Sequence, residues 1–591
     1  MFGNSPQAED RIGQRRLLPL LALCFGMMFV LVLRLFQLQV LHGSDFSIMS
    51  DLTRLNRVVV EAPRGSILDR NGLVFAENGL SYSITMDPME GKKVEKSIPL
   101  LASFCGFPPD ELIQKVKDTR RKKIHTPVKL FKDANFKLLS IVEEHKSELP
   151  GLDSEIDQRR SYPNGLLASH VIGYMGELNQ NEFNELGSKG YYYGQSIGRD
   201  GLEQRYESML KGKNGTKFQE KNYLNRILKD SKEIKPDPPE AGKSIWLTID
   251  MRLQMAAEQA FGDTVLGALV AIDPRNGEIL AMLSLPNYDP NEFTHVMTAG
   301  RVDSLFNDPR KPLFNRAIQA TYPPGSTFKP LTALAGLESG FGEQTRFSAC
   351  HGSYSFGGRP FKCWKAGGHG SLNMSDAITN SCNVYFYQLG YKVGIEHWQT
   401  MAKILGIGEI TGVDLEGEAK GRLPTLDYYK ETRKYYSPGI MLNLAIGQGE
   451  NDVTLLQLVR YVGIIATAGV KTTPHLILGQ GAKPERVIGI SPESFDVVRR
   501  GMLGVVEQGT ARSMQITGHL IAGKTGTAQN PHGADHKIFV GFAPYDNPTI
   551  AVACVAENAG DMVPSRAVII VKRMLDEYFN HAMEISAAAN Q

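Results

Sequence analysis

A chain of 591 residues has room for about two to four domains. With 42% hydrophobic and 22% charged residues a large core is affordable, and 65 Lys plus Arg against 63 Asp plus Glu leave a formal charge of only +2. That balance excludes a nucleic-acid binder that works by a basic surface.

The first segment to interpret is Leu17 to Leu33, an uncharged run of 17 residues. As a helix it spans about 26 Å of the roughly 30 Å hydrocarbon layer. Snorkelling of Arg34 and the following "LFQLQVL" supply the remainder. Arg11, Arg15 and Arg16 precede the run and favour a cytoplasmic N-terminus with an exported remainder, Arg34 counting slightly against. No small-x-small cleavage site follows, so the run reads as an uncleaved single-pass anchor over 17–41 behind a cytoplasmic tail of 1–16, not as a removed signal peptide.

Residues 42–240 mix short strands and amphipathic helices. "EAPRGSILDRNGLVFAEN" (61–78) has β-rich patches divided by Gly, Asn and Asp turn signals, and Asp110 to Lys117 is patterned as a helix. "SYPNG" and "GSKGYYYG" are loop-like, Arg120 to Lys123 reads as a solvated helix end or loop, and no internal repeat occurs. "KPDPPEAGK" (235–243) reads as a linker because its prolines and charges suit neither helix nor strand interior.

The second domain, 241–580, opens on a hairpin signal, Gly267 to Leu285, folded at Asp273 to Gly277. His536 to Asn558 is again strand, turn, strand; Pro564 to Phe579 is an amphipathic helix, followed by a tail of 581–591. Helical periodicity dominates between, as in Asn383 to Lys392 and Thr454 to Ala468. The expected fold is mixed α/β: a helix-covered, mainly antiparallel sheet whose terminal segments come together.

Three polar clusters fall within this domain. In "PGSTFKP" a Pro-Gly turn precedes Ser326, and Lys329 follows one turn later, so a helix beginning there lets the two side chains touch. Ser381-Cys382-Asn383 leads into an amphipathic helix, and Lys524-Thr525-Gly526-Thr527 lies on a strand that the 536–558 hairpin extends. Singly, these are an N-capping serine, a helix cap and an edge-strand lysine. Together, Ser-x-x-Lys, Ser-x-Asn and Lys-Thr-Gly in this order are the signature of penicillin-binding proteins and class A β-lactamases.

On these motifs the chain resembles the class B penicillin-binding proteins, most closely the penicillin-binding protein 2 family of cell-elongation peptidoglycan D,D-transpeptidases. The resemblance runs nearly the whole length, through "APRGSILDRNG", "RRSYPNGLLASHVIGYMGEL", "IGRDGLEQRYESMLKGKNG", "TGVDLEGEAKG", "AIGQGENDVTLLQL", "AGKTGTAQN" and "FVGFAP". Cys382 departs from the residue many relatives of the wider superfamily carry there. The resemblance implies a penicillin-binding, serine β-lactamase-like transpeptidase domain above an elongated, β-rich pedestal of the dimerisation type.

The chemistry of the residues agrees. Ser326 is a nucleophile only if a base takes its proton, and Lys329, with an ordinary pKa of about 10.4, is a base only if burial or a nearby cation such as Lys524 makes it neutral. Ser381 then relays a proton to a leaving amine, Asn383 holds a substrate amide, and Thr525 and Thr527 offer hydroxyls to a carboxylate. The strand of Thr525, Gly526 and Thr527 can pair with an extended peptide. The resemblance adds backbone N–H groups of Ser326 and Thr527 as the oxyanion hole, and a donor stem peptide ending in D-Ala-D-Ala. It also implies an acyl-enzyme on Ser326 resolved by a neighbouring stem peptide's amine, and β-lactams as acylating inhibitors. No cofactor is needed for that acyl transfer.

Cys350, Cys363, His369 and Cys382 make a sufficient tetrahedral set for a structural Zn2+, tying the Gly-rich insertion to the helix of Ser381 and Asn383. His351 is a substitute for His369, and a Cys350–Cys363 disulfide is the alternative in an oxidising compartment. Cys24, Cys105 and Cys554 read as small buried apolar residues. Residues 43–240 show no glycosyltransferase signature, so strand polymerisation falls to a partner, which the resemblance implies is a SEDS-type polymerase alongside other elongation proteins. Competing readings are a D,D-carboxypeptidase or β-lactam hydrolase, in which water resolves the acyl-enzyme, a scaffold that activates the polymerase, and septal rather than elongation duty.

Overall fold

The computed structural model describes the chain outside residues 1–8, 42–54, 88–89, 106–107, 122–127, 132–133, 193–194, 222–226, 231–234, 263, 295–296, 298, 434, 561–562 and 590–591. The expected basic cluster at 120–123 and part of "GSKGYYYG" fall on or beside those gaps, and the side chain of Cys105 lies outside the described residues. The chain divides into two compact units, 1–62 with 213–240, and 63–212 with 241–591.

The first unit carries α1 (Glu9–Phe36), which starts earlier than the apolar run. Its apolar span, Pro19–Val40, is long enough to cross a membrane and is uncovered by protein. Cys24 is therefore exposed, contrary to expectation, because the surface of such a helix is made for lipid. Strands Leu55–Val60, Gly215–Lys221 and Ile227–Asp230 form an antiparallel sheet. The expected linker is hydrogen-bonded at both ends of its first half: Asp237 exchanges backbone bonds of 2.8 Å with Thr216, and Glu240 bonds of 2.9 Å with Lys213. Prolines between these residues remove donors without removing carbonyl acceptors, so the segment lies extended against its neighbours.

In the second unit β1 (Val74–Met86) pairs antiparallel with β2 (Leu152–Ser161), Glu77 opposite Ser161 and Met86 opposite Leu152. Ile84, Met86, Val94, Ile98 and Val142 close a small core there. The rest of 63–212 shares one continuous core with 241–591, Ile67, Phe75, Tyr162 and Leu202 belonging to the same cluster as the sheet below. The compact division thus has a cut at 240/241 and two further cuts, at 62/63 and 212/213. Ile67 pairs in parallel with Ile245, and Asp69 accepts from the Met251 backbone N–H at 3.1 Å.

The large sheet follows from the two expected hairpins. After α2 (Met251–Phe261) come β3 (Gly267–Ile272) and β4 (Ile279–Leu285), joined where Gly277, at φ +89°, leaves room for Thr473 O, 2.4 Å from where a Cβ would stand. The helical middle holds α3 (Lys329–Glu338), α4 (Met374–Thr379), α5 (Asn383–Ile404), α6 (Leu455–Ala466) and α7 (Pro492–Glu507). Then come β5 (Ala522–Ala528), β6 (His536–Ala543), β7 (Ile550–Ala556) and α8 (Arg566–Ala589), which continues past the expected end at Phe579. The order is β4-β3-β7-β6-β5, antiparallel throughout. Every residue of β3, β4 and β7 is buried, so both sheet faces are covered: α2 and α8 pack on each other and on the sheet, and the wholly buried α6 packs on it too. A capping box between Thr454 and Gln457 starts α6.

One charged knot sits inside this core. Glu203 is fully buried; its carboxylate accepts from Arg160 Nε at 2.6 Å and Arg64 Nε at 2.7 Å, and Arg64 also meets Glu207 at 2.7 Å. Burial would raise the Glu203 carboxyl, but the two guanidiniums prevail and lower it. Removing the carboxylate strands Arg160 in the core. Glu203→Ala is expected to cost about 3–5 kcal/mol of stability, read as a lowered unfolding midpoint of the purified chain; an unchanged midpoint would show the knot dispensable.

Candidate active site

The turn bearing Ser326 is fixed by contacts that only glycine permits. Gly325, at φ +55°, has Thr527 O at 2.4 Å from the Cβ it lacks, and its N–H donates to Gly447 O at 2.8 Å. Gly325–Phe328 form a single 3₁₀ turn that runs into α3, with Pro330 tolerated in its first turn. Thr327 Oγ1 donates back to Pro324 O at 2.7 Å, and Tyr461 Oη donates to Thr327 O at 3.2 Å. Ser326 remains partly exposed while Lys329, one turn on, is fully buried.

Ser381 and Asn383 occupy the junction between α4 and α5. The backbone N–H of Ser381 donates to Ile378 O at 3.1 Å and that of Cys382 to Ala377 O at 3.0 Å, wrapping the end of α4 as a left-handed terminus does. Ser381 takes the left-handed position itself, φ +52°, where glycine is usual. The wrap aims its hydroxyl and its carbonyl inward together.

There two lysines meet it. Lys329 Nζ donates to Ser381 O at 2.6 Å, to Ser381 Oγ at 3.1 Å and to Asn383 Oδ1 at 2.6 Å. Lys524 Nζ, brought in by β5, donates to the same Ser381 Oγ at 2.9 Å and to Thr525 O at 3.2 Å. Lys329, Ser381, Asn383 and Lys524 thus form one hydrogen-bonded cluster, anchored at Lys329 where the Ser326 turn ends. The three donors of Lys329 are directed at Ser381 and Asn383, not at Ser326, so a lone pair for the Ser326 proton appears only when this amine is neutral. Burial lowers the Lys329 amine to about 7, with Coulombic attraction to the Cys382 and Cys363 sulfurs pulling the other way. Burial, and after it the positive charge of Lys329, push Lys524 well below the ordinary lysine range.

Along β5, Thr525 and Thr527 are partly exposed and alternate with the buried Lys524 and Gly526. Each hydroxyl has its own partner: Thr510 Oγ1 lies 2.7 Å from Thr525 Oγ1, and Lys537 Nζ donates to Thr527 Oγ1 at 3.2 Å. Gln448 Nε2 donates to Thr527 O at 2.9 Å and pins the strand. Sequence reasoning singled out none of Thr510, Gln448 and Lys537. The only signals were the paired glycines around Gln448 and the hairpin register that sets Lys537 opposite Thr527.

The Gly-rich insertion folds as a hairpin, Ser353–Phe356 with Arg359–Lys362, closed at its base by backbone bonds of 2.8 and 3.0 Å between Cys350 and Gly370. Cys350, Cys363, His369 and Cys382 converge with their ligand atoms all within 4.8 Å of one another. Cys350 and Cys363 are free thiols, not a disulfide, and His351 stands outside, exposed. His369 Nδ1 is 3.7 Å from Cys350 Sγ and 3.5 Å from Cys363 Sγ. Bond lengths of about 2.3 Å for Zn–S and 2.0–2.1 Å for Zn–N give a nitrogen–sulfur edge of about 3.6 Å in a tetrahedron, so the donor set fits zinc. Hydrogen bonding to Cys382 lowers the Cys363 thiol to about 4, while that bond and burial raise Cys382. The insertion also grips the motif directly: Trp364 Nε1 donates to Ser381 O at 3.1 Å, and Asn383 Nδ2 donates to Lys362 O at 3.3 Å.

Comparison with known proteins fits this geometry. The chain matches the penicillin binding protein transpeptidase domain over residues 267–576 and the penicillin-binding protein dimerisation domain over residues 59–247. It is 34% identical to the peptidoglycan D,D-transpeptidase MrdA of Acinetobacter baumannii, over 93% of this chain and 86% of that protein. It is similar to the penicillin-binding protein PBP2 of Helicobacter pylori solved in complex with MreC, at a TM-score of 0.80 and 28% identity, covering 89% of this chain and 99% of that one. A structure titled "Structural coordination of polymerization and crosslinking by a peptidoglycan synthase complex" aligns with a TM-score of 0.71 and 31% identity, over 95% and 98% of the two chains.

The lysine environment sets a pH dependence. If the neutral form of Lys329 is the base, acylation of Ser326 by a fluorescent penicillin should accelerate as pH rises through about 7 and level off above it. A rate independent of pH across that range would remove Lys329 from the role.

Proposed function

Because the chain belongs to the penicillin-binding protein 2 family of class B penicillin-binding proteins and is a peptidoglycan D,D-transpeptidase of cell elongation, we propose that Ser326 carries the acyl group and Lys329 is its base. The observation that carries this reading is the Ser381 hydroxyl, shared by the buried amines of Lys329, where the Ser326 turn ends, and Lys524.

The neutral Lys329 takes the Ser326 Oγ proton as the oxygen attacks the carbonyl of the penultimate D-Ala. Backbone N–H groups of Ser326 and Thr527, on segments that abut at Gly325, stabilise the oxyanion. The C–N bond breaks, Ser381 passes a proton from Lys329 to the departing D-Ala amine, and an ester remains on Ser326. Attack by the amine of a second stem peptide breaks that ester, returns the proton to Ser326 and leaves a cross-link. Asn383 orients the donor amide, the free edge of β5 pairs with the donor backbone, and Thr525 and Thr527 receive its terminal carboxylate. A β-lactam enters by the same first step and stays as a long-lived ester.

Zinc held by Cys350, Cys363, His369 and Cys382 supplies structural cross-linking, not chemistry at the reacting carbonyl. It ties the insertion to the residues flanking Ser381, which supports a role in holding Ser381 and Asn383 in place. The N-terminal apolar helix is consistent with a single-pass anchor. Its arginine-rich start supports an N-terminus in the cytoplasm and a catalytic domain outside the inner membrane. A MreC-type partner fits the complex of the Helicobacter pylori PBP2 with MreC, and a SEDS-type polymerase is the partner the family resemblance implies, alongside a similar chain solved in a peptidoglycan synthase complex.

Full-length protein incubated with fluorescent penicillin should give a stable adduct that Ser326→Ala abolishes. Rapid loss of label would favour a hydrolase, and labelling of the alanine variant would overturn the assignment. Protein prepared without added zinc should hold about one zinc per chain, and Cys363→Ser should lose most of it. A thiol count showing a disulfide within the cluster would remove the metal site.

A further inference from the structure

We propose that Lys537 is a specificity-determining residue that makes the subsite for the donor's terminal carboxylate cationic, acting through the Thr527 hydroxyl. The inference rests on the reading above that Thr525 and Thr527 receive that carboxylate.

The register of β5 on β6 sets Lys537 directly opposite Thr527, so the two side chains stand on one sheet face. Lys537 is only 8% exposed, and its Nζ lies 3.2 Å from Thr527 Oγ1. An ammonium can only donate, so Thr527 Oγ1 must accept in this bond, and its single O–H is left to point elsewhere. That turns a hydroxyl of undecided orientation into a committed donor beside the exposed edge of β5. The hydroxyl is also polarised by the ammonium that donates to it, which strengthens its bond to an anion.

The other cations near Ser326 are poorly suited to this duty. Lys329 and Lys524 are fully buried and driven toward neutrality, and their donors already engage Ser381, Asn383 and Thr525 O. A neutral amine exerts no charge attraction on a carboxylate. Thr525, the companion hydroxyl, is partnered by the uncharged Thr510. Among the described residues, Thr527 is the threonine of the two whose hydroxyl accepts from a cation.

Two thioester donors that differ only at the end distinguish the outcomes: an N-acyl-D-alanyl thiolactate with a free carboxylate, and its C-terminal methylamide. In each, Ser326 forms an ester as the C–S bond breaks and the sulfur leaves as a thiol that can be measured. With the full-length chain in detergent, the wild type should prefer the carboxylate donor. Lys537→Met should lower kcat/KM for that donor by roughly tenfold, mainly through KM, and leave the methylamide within about twofold. Lys537→Arg should restore most of the preference. A Lys537→Met enzyme with the wild-type ratio between donors would overturn the proposal, as would an equal fall on both donors, which would assign Lys537 to structure alone. A wild type with no preference would instead sink the carboxylate reading of Thr525 and Thr527, leaving Ser326 acylation untouched.

Discussion

Ser381 Oγ lies 3.1 Å from the Lys329 nitrogen and 2.9 Å from the Lys524 nitrogen, and neither lysine has any exposed surface, so the site is organised around two amines that resist being charged together. Burying one ammonium is costly and burying two side by side is more so; the direct relief is the loss of a proton. The resulting neutral amine is what a serine nucleophile requires. The rest of the domain keeps three chain segments from separating under that strain. They are the 3₁₀ turn packed on Gly447, the left-handed wrap at Ser381 and the strand bearing Lys524.

The fold was legible where periodicity and turn chemistry agree. Asp273 to Gly277 announced the first hairpin because a glycine with positive φ must close it, and the helical periodicity from Thr454 announced α6. Residues 235–243 read as a linker from their prolines and charges, and a cut between the compact units falls among them at 240/241, but backbone preference says nothing of which neighbour bonds to them. Pairing of Asp237 with Thr216 is a long-range fact.

The site was legible in its chemistry but not in its support. Ser326, Lys329, Ser381, Asn383 and Lys524 are recognisable because the proposed nucleophile, base and relay need those functional groups. The side chains that hold them have no such signature. Trp364 Nε1 is shared between the carbonyls of Asn380 and Ser381, and Gln448 donates to that of Thr527; any residue type with a donor at the right place could do so. His369 rather than His351 joins the cysteines because the backbone pairing of Cys350 with Gly370 turns residue 369 inward, a property of the hairpin base and not of either histidine.

Topology explains why the catalytic strand is an edge. Pairing of β3 with β7 joins the beginning and the end of the domain in the middle of the sheet, and the hairpin β5–β6 must then lie outside it. An exposed edge is ordinarily a hazard, since its unpaired N–H and C=O groups will recruit any extended chain. Here the hazard is narrowed to a purpose. Thr527 O is occupied by Gln448, Thr525 O by Lys524, and Gly325 closes on Thr527 from the side. An incoming peptide therefore meets an edge already part-filled beside Ser326. On the proposed role of the threonine hydroxyls, only a chain whose terminal group suits them gains full pairing, so the strand that would otherwise aggregate becomes one that selects.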